Sequence, residues 1–345
     1  MALAMPAAPV RSSRKFPQMP IHRSLGFTFR LLLLAVGLAA HIQAQGRVFK
    51  STVEMVSLTV TVTDAKGHYV RDLVETDFSV LEEGVRQSLA LFANEAVPID
   101  LALTIDASAS MTPQLPVVRK AAGALVDSLR GRDRATVVTI KNAVDVTLPL
   151  TSDRSRISTA IRDLSASGRT ALYDGVYVVL SELVRARSQQ IRRRVLVLLS
   201  DGLDTASRLS ADEMLALARR AGIGIYVIAM PTSSSNLPRH RQDASAWQGE
   251  HVMRTLARES GGRSFFPKRV EELPAIYADI AQELANQYEL GYLPSRSGTQ
   301  GGFRRVTVHV ENAMTRTRSG YYAGQEFAAA TLPDVSAPLS LGRPH

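Results

Sequence analysis

The chain has 345 residues, of which 45% are hydrophobic and 21% are charged, and it contains no cysteine. This length allows more than one domain with a substantial core, and the composition excludes a wholly disordered chain or a disulfide scaffold. The chain holds 41 basic and 32 acidic residues, but five basic and no acidic residues lie in 1–44, which leaves a charge of +4 on the remainder. So small a charge gives no electrostatic reason to expect a nucleic-acid partner.

Residues 1–44 have the pattern of an export signal. A basic stretch that ends at Arg30 precedes an apolar run over residues 31–40, and Ala44 supplies the small residue of a cleavage site. The run is shorter than the roughly 20 apolar residues that cross a bilayer, and no later segment is long and apolar enough. We therefore expect a periplasmic or secreted protein without a membrane span after cleavage. The alternatives are an uncleaved anchor or a wrongly assigned start, with translation from Met19.

Residues 45–96 are predicted to form a β segment. Leu58, Val60 and Val62 alternate with threonines, which is the pattern of a half-buried strand, and two more strands flank the turn at 82–84. The same alternation returns in residues 286–322. Because three short strands alone would expose their edges, we expect the two segments to form one β domain rather than two small appendages. Residues 323–345 are rich in Ala, Ser and Pro and are predicted to be a disordered tail.

Residues 97–285 alternate between apolar runs and helical patterns. Strands that alternate with helices predict an α/β fold with a doubly wound, mostly parallel, Rossmann-like sheet. We expect this domain to be inserted in the β domain, which would be small and sandwich-like. Ser210, with Glu213 three residues later, has the pattern of a capping box. The predicted strands are Ile99–Ile105, Ala135–Ile140, Val144–Leu148, Val195–Leu199, Ile223–Met230 and Arg263–Phe266; the predicted helices are Val118–Leu129, Ile157–Leu164, Tyr173–Val184, Ala211–Ala221, His251–Glu259 and Pro274–Leu284.

Oxygen-bearing side chains follow the first strand of this domain. Asp106, Ser108 and Ser110 occupy alternate positions of one turn, and Thr170 and Asp201 lie in two other loops. Ligands of open α/β sheets bind beyond the carboxyl ends of the strands, where these loops should meet. Oxygen-only sites suit hard cations such as Mg²⁺, Mn²⁺ or Ca²⁺, and do not suit zinc or copper.

Each of these motifs alone is more typical of local structure. Asp and Ser cap helices and turns, Ser-Asp-Gly is a common turn, and Thr170 is a suitable N-cap. The presence of all three in order favours a metal site. Nearby, Asp174 is predicted to be a helix-start residue, and Asp204 is predicted either to support the site or to be solvated.

The three motifs together resemble the von Willebrand factor type A fold and its metal-ion-dependent adhesion site. The resemblance covers about residues 97–285. Asp-Phe-x-Val at 77–80, Glu-Glu-Gly at 82–84 and Gly-Tyr-Tyr at 320–322 are similar to a larger group of exported bacterial proteins with this domain. The resemblance implies hydroxyl ligands from Ser108, Ser110 and Thr170, with Asp106 and Asp201 binding the metal directly or through water. It also implies Mg²⁺ as cofactor, with Mn²⁺ or Ca²⁺ as alternatives, and a partner protein whose acidic side chain completes the coordination.

A binding module is therefore predicted rather than an enzyme. No histidine lies in the three loops to activate Ser108 or Ser110, and the chain lacks a Gly-x-Ser-x-Gly elbow and a phosphate loop. A metal-dependent hydrolase and a structural envelope protein without a regulated ligand remain the alternatives.

For each of two basic segments, the sequence allows two interpretations. Residues 232–249 are predicted to form a loop in which Arg239, Arg241 and Trp247 help to select an acidic partner; a solvated loop with Trp247 packed underneath is the alternative. Residues 192–194 are three consecutive arginines. A solvated helix end and strand entry is favoured for them over a patch for an anionic polymer.

Overall fold

The computed structural model describes residues 55–94, 97–186, 190–231, 239–295 and 302–323, without the side chains of 239–246. The predicted signal over 1–44 and the predicted tail from residue 324 onward lie outside the described residues. Within the described part, no helix has the length and apolar character needed to cross a bilayer.

The central domain is built on one six-stranded sheet, which confirms the predicted α/β fold class. The strands before this sheet are β1 (Val56–Thr63), β2 (Phe78–Glu82), β3 (Val85–Gln87) and β4 (Leu89–Ala93); those within it are β5 (Ile99–Asp106), β6 (Arg134–Ile140), β7 (Val144–Thr151), β8 (Arg193–Ser200), β9 (Gly224–Ala229) and β10 (Ser264–Phe265). The strand order of this sheet is β10-β9-β8-β5-β6-β7, and every neighbouring pair is parallel except β6 and β7.

Helices cover both faces of this sheet, so β5 is buried along its whole length. This double cover explains the continuous apolar runs of the inner strands, because neither face meets water. Ser210 and Glu213 form the predicted capping box. One face packs against α1 (Leu115–Ser128), α2 (Arg154–Arg162) and α6 (Leu273–Ala285); the other packs against α3 (Leu172–Arg185), α4 (Ala211–Ala221) and α5 (Arg239–Ser260).

The early and late β strands pair with one another in two four-stranded sheets. The late strands are β11 (Gln287–Tyr292), β12 (Phe303–Val310), β13 (Met314–Arg316) and β14 (Gly320–Tyr322). One sheet has the order β13-β1-β11-β4 and the other β14-β12-β2-β3, and an apolar core is shared between them. Each sheet thus combines strands from before and after the central domain. The domain boundaries at residues 96 and 286 stay predictions.

The sequence over residues 315–322 predicts one strand after the turn at 311–312, but the structure has two short strands there. β13 pairs with β1 in one sheet, whereas β14 pairs with β12 in the other. The chain therefore crosses between the sheets at residues 317–319. A period-two pattern does not reveal such a crossing, because both halves keep the same alternation.

The interpretation of residues 192–194 as a solvated strand entry is wrong for two of the three arginines. Arg193 is 5% exposed, and the side chain of Arg192 is 8% exposed. Arg192 Nε lies 2.7 Å from a carboxylate oxygen of Asp100, which is 1% exposed, and Arg134 binds the other oxygen at 2.7 Å. The buried aspartate requires cationic partners. The sequence pattern does not reveal the pairing of Asp100 with Arg192, because these residues are 92 positions apart.

The prediction of a loop over residues 232–249 is wrong from Arg239 onward, because α5 begins there. Residues 232–238 lie outside the described part of the chain. The first turns of α5 contain no apolar periodicity, so the pattern shows a helix only where Val252 and Met253 begin to pack on the sheet. Trp247 is not packed underneath: it is 71% exposed and its ring stacks on that of His251. Its role in partner selection stays a prediction.

Replacing Asp100 by Asn should destabilise the protein by about 3 kcal/mol or more, because two guanidinium groups lose their buried counter-charge. The matched control is Glu250→Gln, which removes the exposed pair with Arg254 on α5 and should cost about 0.5 kcal/mol or less. Urea unfolding followed by circular dichroism measures both. Equal losses for the two variants would contradict the assigned role of Asp100.

Candidate metal centre

The predicted site begins at the carboxyl end of β5 with a fully buried carboxylate. Asp106 Oδ1 accepts the backbone N–H of Ser108 at 2.9 Å, and its Oδ2 accepts the hydroxyl of Ser200 at 2.8 Å. The first of these bonds closes the tight turn that leads through a short 3-10 helix at Ala109–Met111 into α1. The local sequence thus folds around the carboxylate and turns the following hydroxyls toward the end of the sheet.

A chain of hydrogen bonds connects four of the five predicted ligands. Ser108 Oγ lies 2.9 Å from Ser110 Oγ, and Ser110 Oγ donates to Asp201 Oδ2 at 3.1 Å. Asp201 also accepts the backbone N–H of Leu203, which shapes the turn after β8. The turn after β5 and the turn after β8 therefore bring their oxygen atoms together, as parallel neighbouring strands require.

Thr170 comes from a loop that is bonded to the same turn through the backbone. Ser167 donates its N–H to the carbonyl of Ala107 at 2.8 Å, and Ala109 donates to the carbonyl of Gly168 at 3.1 Å. Gly168 adopts φ +77°, which a residue with a side chain adopts only under strain. Thr170 itself is buried, but within the described residues no hydrogen bond joins its hydroxyl to the Ser108–Asp201 cluster. Its place as a ligand stays a prediction.

The two aspartates of β5 are satisfied in opposite ways. Asp100, at the start of the strand, is held by two arginines, whereas Asp106, at its end, accepts only neutral donors. Among the described side chains, no Lys, Arg or His forms an ion pair with Asp106 or Asp201. Burial raises the pKa of both carboxyl groups, and the charge of Asp201 raises that of Asp106 further. The carboxyl end of the sheet therefore concentrates negative charge that no described cation neutralises.

Several residues that sequence reasoning did not assign hold the loops in place. Ser200 donates to Asp106 and accepts the N–H of Gly202, so it fixes both turns. Its presence in the Ser-Asp-Gly motif, directly before Asp201, is the signal that could have identified it. Thr205 accepts the N–H of Thr170 through its hydroxyl and donates its own N–H to the Thr170 carbonyl.

Asp174 and Asp204 also anchor loops. Asp174 lies in the first turn of α3, as predicted, but its carboxylate accepts the backbone N–H groups of Arg208 and Leu209. Asp204 accepts the N–H of Leu172 at 2.8 Å and so caps the start of α3 from another loop. It is therefore a helix cap rather than a solvated residue.

The donor set fits a hard cation. The connected side chains are two carboxylates and two serine hydroxyls, which offer oxygen alone. No group of three or more His, Cys, Asp or Glu side chains in the described part of the chain is arranged to hold a metal, so an ion here depends on hydroxyl ligands. Carboxylate and hydroxyl oxygens match Mg²⁺, Mn²⁺ and Ca²⁺.

No described histidine is placed to activate the serines. His68 pairs with Asp64, His251 stacks on Trp247, and His309 lies on β12. The hydroxyls of Ser108 and Ser110 bond to each other instead, and that of Ser110 donates to Asp201. The arrangement gives no positive sign of nucleophilic catalysis.

Comparison with known proteins identifies the family of the central domain. Residues 101–203 match the family model of the von Willebrand factor type A domain, so the chain contains a domain of this family. A UPF0353 protein of Nocardia farcinica is 22% identical over 218 residues, which cover 58% of this chain and 65% of that protein.

Two solved structures illustrate the wider similarity. A von Willebrand factor type A protein from Catenulispora acidiphila is 13% identical with a TM-score of 0.45, and the match covers 78% of this chain and 73% of that one. Proximal thread matrix protein 1 from the mussel byssus, described with a zinc-occupied MIDAS motif, is 19% identical with a TM-score of 0.45. That match covers 59% of this chain and 49% of the mussel chain.

Replacing Ser200 by Ala should destabilise the protein by about 1–3 kcal/mol, because Asp106 Oδ2 and the Gly202 N–H both lose a buried partner. Thermal or urea unfolding of the metal-free protein measures the loss. Thr112→Ala, whose hydroxyl bonds only to an exposed carbonyl in the same turn, serves as control and should cost less. A Ser200→Ala variant as stable as this control would contradict the positioning role.

Proposed function

We propose that this chain is an exported adhesion module that holds Mg²⁺ and binds an acidic group of a partner protein through it. The proposed ligands are Asp106, Ser108, Ser110, Thr170 and Asp201. The observation that carries the proposal is the fully buried Asp106 carboxylate, which shares its site with Asp201 and has no cationic partner among the described residues.

Buried charge is the physical reason to expect an ion. Removing a carboxylate from water costs several kcal/mol unless a counter-charge or strong hydrogen bonds offset the loss. Asp106 has two hydrogen bonds from neutral donors, and the nearby Asp201 adds a second negative charge. A divalent cation bound between them would neutralise both. Mn²⁺ and Ca²⁺ are alternatives, since all three cations prefer oxygen ligands.

The same donor set supports a binding role for the ion. Neutral hydroxyl oxygens are weaker ligands than carboxylates, so an ion held partly by hydroxyls would still accept an external anionic oxygen at a remaining coordination position. An acidic side chain of a partner protein, which the family resemblance implies, carries such an oxygen. The serines then act as ligands rather than nucleophiles, so we infer no catalytic activity. Export is supported by the signal-like pattern of residues 1–44.

Metal binding should be visible as stabilisation of the chelator-treated protein. At a Mg²⁺ concentration 100 times the Kd, the free energy of unfolding should rise by about 2.7 kcal/mol. Asp106→Asn should abolish this gain and leave the metal-free protein as stable as the wild type or more so, because a buried amide costs less than a buried carboxylate. Thermal unfolding and titration calorimetry with Mg²⁺, Mn²⁺, Ca²⁺ and Zn²⁺ measure the response.

The control is Asp212→Asn, which removes an exposed carboxylate from the first turn of α4. This variant should keep the full metal response. If Asp106→Asn keeps it too, the ion binds elsewhere or only through diffuse charge, and the proposed centre is wrong.

Partner binding should depend on the ion and on acidic groups. The immobilised protein should capture a partner from an envelope or secreted extract with Mg²⁺ present, and should lose it with EDTA or in Asp106→Ala. Converting the carboxyl groups of the extract to amides should also abolish capture. Capture that persists both in the presence of EDTA and in the Asp106→Ala variant would contradict the adhesion function. Turnover of peptide or phosphoester substrates that Asp106→Ala abolishes would instead favour the hydrolase.

A further inference from the structure

A polar cavity, here called the junction cavity, lies at the opposite end of the central sheet from the candidate metal centre. It has a volume of about 350 Å³ and is bounded by the starts of β8 and β9 on one side and by β1 and β11 of the β domain on the other. Side chains from both domains line it, among them Thr59, Arg193, Tyr226, Gln287, Glu289 and Arg318. Its volume falls in the range of roughly 300–1,000 Å³ that is usual for small-molecule sites.

Arg193 brings a buried positive charge to this cavity. The residue is 5% exposed, and its guanidinium donates to Gln287 Oε1 at 3.0 Å and to the carbonyl of Val97 at 3.2 Å. Its Nε has no hydrogen-bond partner. Both acceptors are neutral, and within the described residues Arg193 forms no ion pair. A guanidinium so deeply buried normally has an anionic partner.

Arg318 brings a second charge from the crossing between the two β sheets. Its Nη2 donates to the carbonyl of Ser57 at 2.8 Å, and its Nε also lacks a partner. No described carboxylate lies within ion-pair distance of it. Burial lowers the pKa of both Arg193 and Arg318, which is the expected effect of removing a cation from water without a sufficient counter-charge.

The acidic residues around the cavity do not balance these arginines. Glu289 is the one acid among the described lining residues. Its charge acts on both Arg193 and Arg318, but its carboxylate accepts the Thr59 hydroxyl at 2.9 Å and lies within ion-pair distance of neither arginine, so one acid faces two cations. Glu283, which lies behind Tyr226, is already paired with Arg316 at 2.6 Å. Asp100 is likewise paired with Arg192 and Arg134. The cavity therefore has an excess of positive charge.

We propose that the junction cavity binds the oxyanion of a small ligand, a phosphate or carboxylate group, with Arg193 and Arg318 as its cationic anchors. The planar guanidinium presents paired N–H donors whose spacing matches two oxygens of such a group. The anion would offset the burial of the two cations. Because the ligand would contact both domains, its binding would stabilise their junction. This site is separate from the candidate metal centre and does not depend on it.

The test uses the full chain freed of metal by EDTA and then dialysed to remove the chelator, which is itself a carboxylate. This protein is titrated with inorganic phosphate, and separately with succinate and citrate, at constant ionic strength. Chloride is the reference anion. We expect one of these oxyanions to raise the melting temperature and to give saturable binding in titration calorimetry. The phosphate and carboxylate arms show which group the cavity accepts. EDTA removes any contribution from the candidate metal centre, so failure here and failure of the proposed function are distinguishable.

Three variants assign the binding to this cavity. Arg318→Gln should weaken the oxyanion affinity by at least tenfold, whereas Glu289→Gln should strengthen it several-fold because it removes the opposing charge. Arg258→Gln changes an exposed arginine of α5 that lies outside the cavity, in the neighbouring groove, and should have no effect. A purely structural role of Arg318 and Glu289 would not move the affinity in opposite directions.

The absence of saturable binding by every oxyanion would overturn the proposal, and so would an equal loss in Arg258→Gln. If Arg318→Gln does not fold, Glu289→Gln alone decides. Stronger oxyanion binding by Glu289→Gln supports the site, and unchanged or weaker binding overturns it.

Discussion

The burial of charge at the two ends of β5 governs much of this structure. Asp100 is the second residue of the strand and Asp106 is its last, and each is almost completely removed from water. Such carboxylates must be compensated, and the protein does so differently at each end. At Asp100, Arg134 and Arg192 arrive from the starts of the two neighbouring strands, so the pairs tie three adjacent strands together. At Asp106 only neutral donors arrive. The first end is a structural ion cluster, and the second keeps an uncompensated charge that a ligand can use.

Several of the bonds that hold the loops around Asp106 do not involve the proposed ligand atoms. Backbone pairs join the turn after β5 to residues 167–168, and Thr205 holds both backbone groups of Thr170. Asp174 and Asp204 fasten the loop after β8 to the start of α3. The close approach of Gly249 to Gly202, where an added Cβ would lie 2.5 Å from a carbonyl oxygen, packs α5 against the same turn. The hydroxyl and carboxylate oxygens are thus positioned by the scaffold before any ion binds, which reduces the ordering cost of binding.

How much of the structure the sequence predicts depends on how far apart in the chain the interacting residues lie. The fold class and most elements rest on local periodicity, and the capping box of Ser210 is contained within four residues. The turn at Asp106–Ser110 is likewise local, so its chemistry is visible in the sequence. The pairing of Arg192 with Asp100 joins residues 92 positions apart, and no pattern near either one signals it. The sequence does not predict the start of α5, because the first turns of this helix carry no apolar stripe. It does not predict the crossing at Arg318 either, because the strands on both sides of it share one alternation.

The central sheet carries polar sites of opposite charge at its two ends. Asp106 and Asp201 make its carboxyl end acidic, while Arg193 makes the start of β8 basic. From Arg193 to Ser200 the strand extends about 23 Å, at a rise of roughly 3.3 Å per residue. Two unit charges at that separation interact by only about 0.7 kcal/mol at an effective dielectric constant of 20. Charge alone therefore couples the ends weakly. Stronger communication would have to be mechanical, through α6, whose Glu283 accepts the Tyr226 hydroxyl of β9 and the Thr61 hydroxyl of β1. A shift of this helix would disturb the junction between the domains. The electric field of an ion bound at the acidic end would not, because the interaction over that distance is too weak.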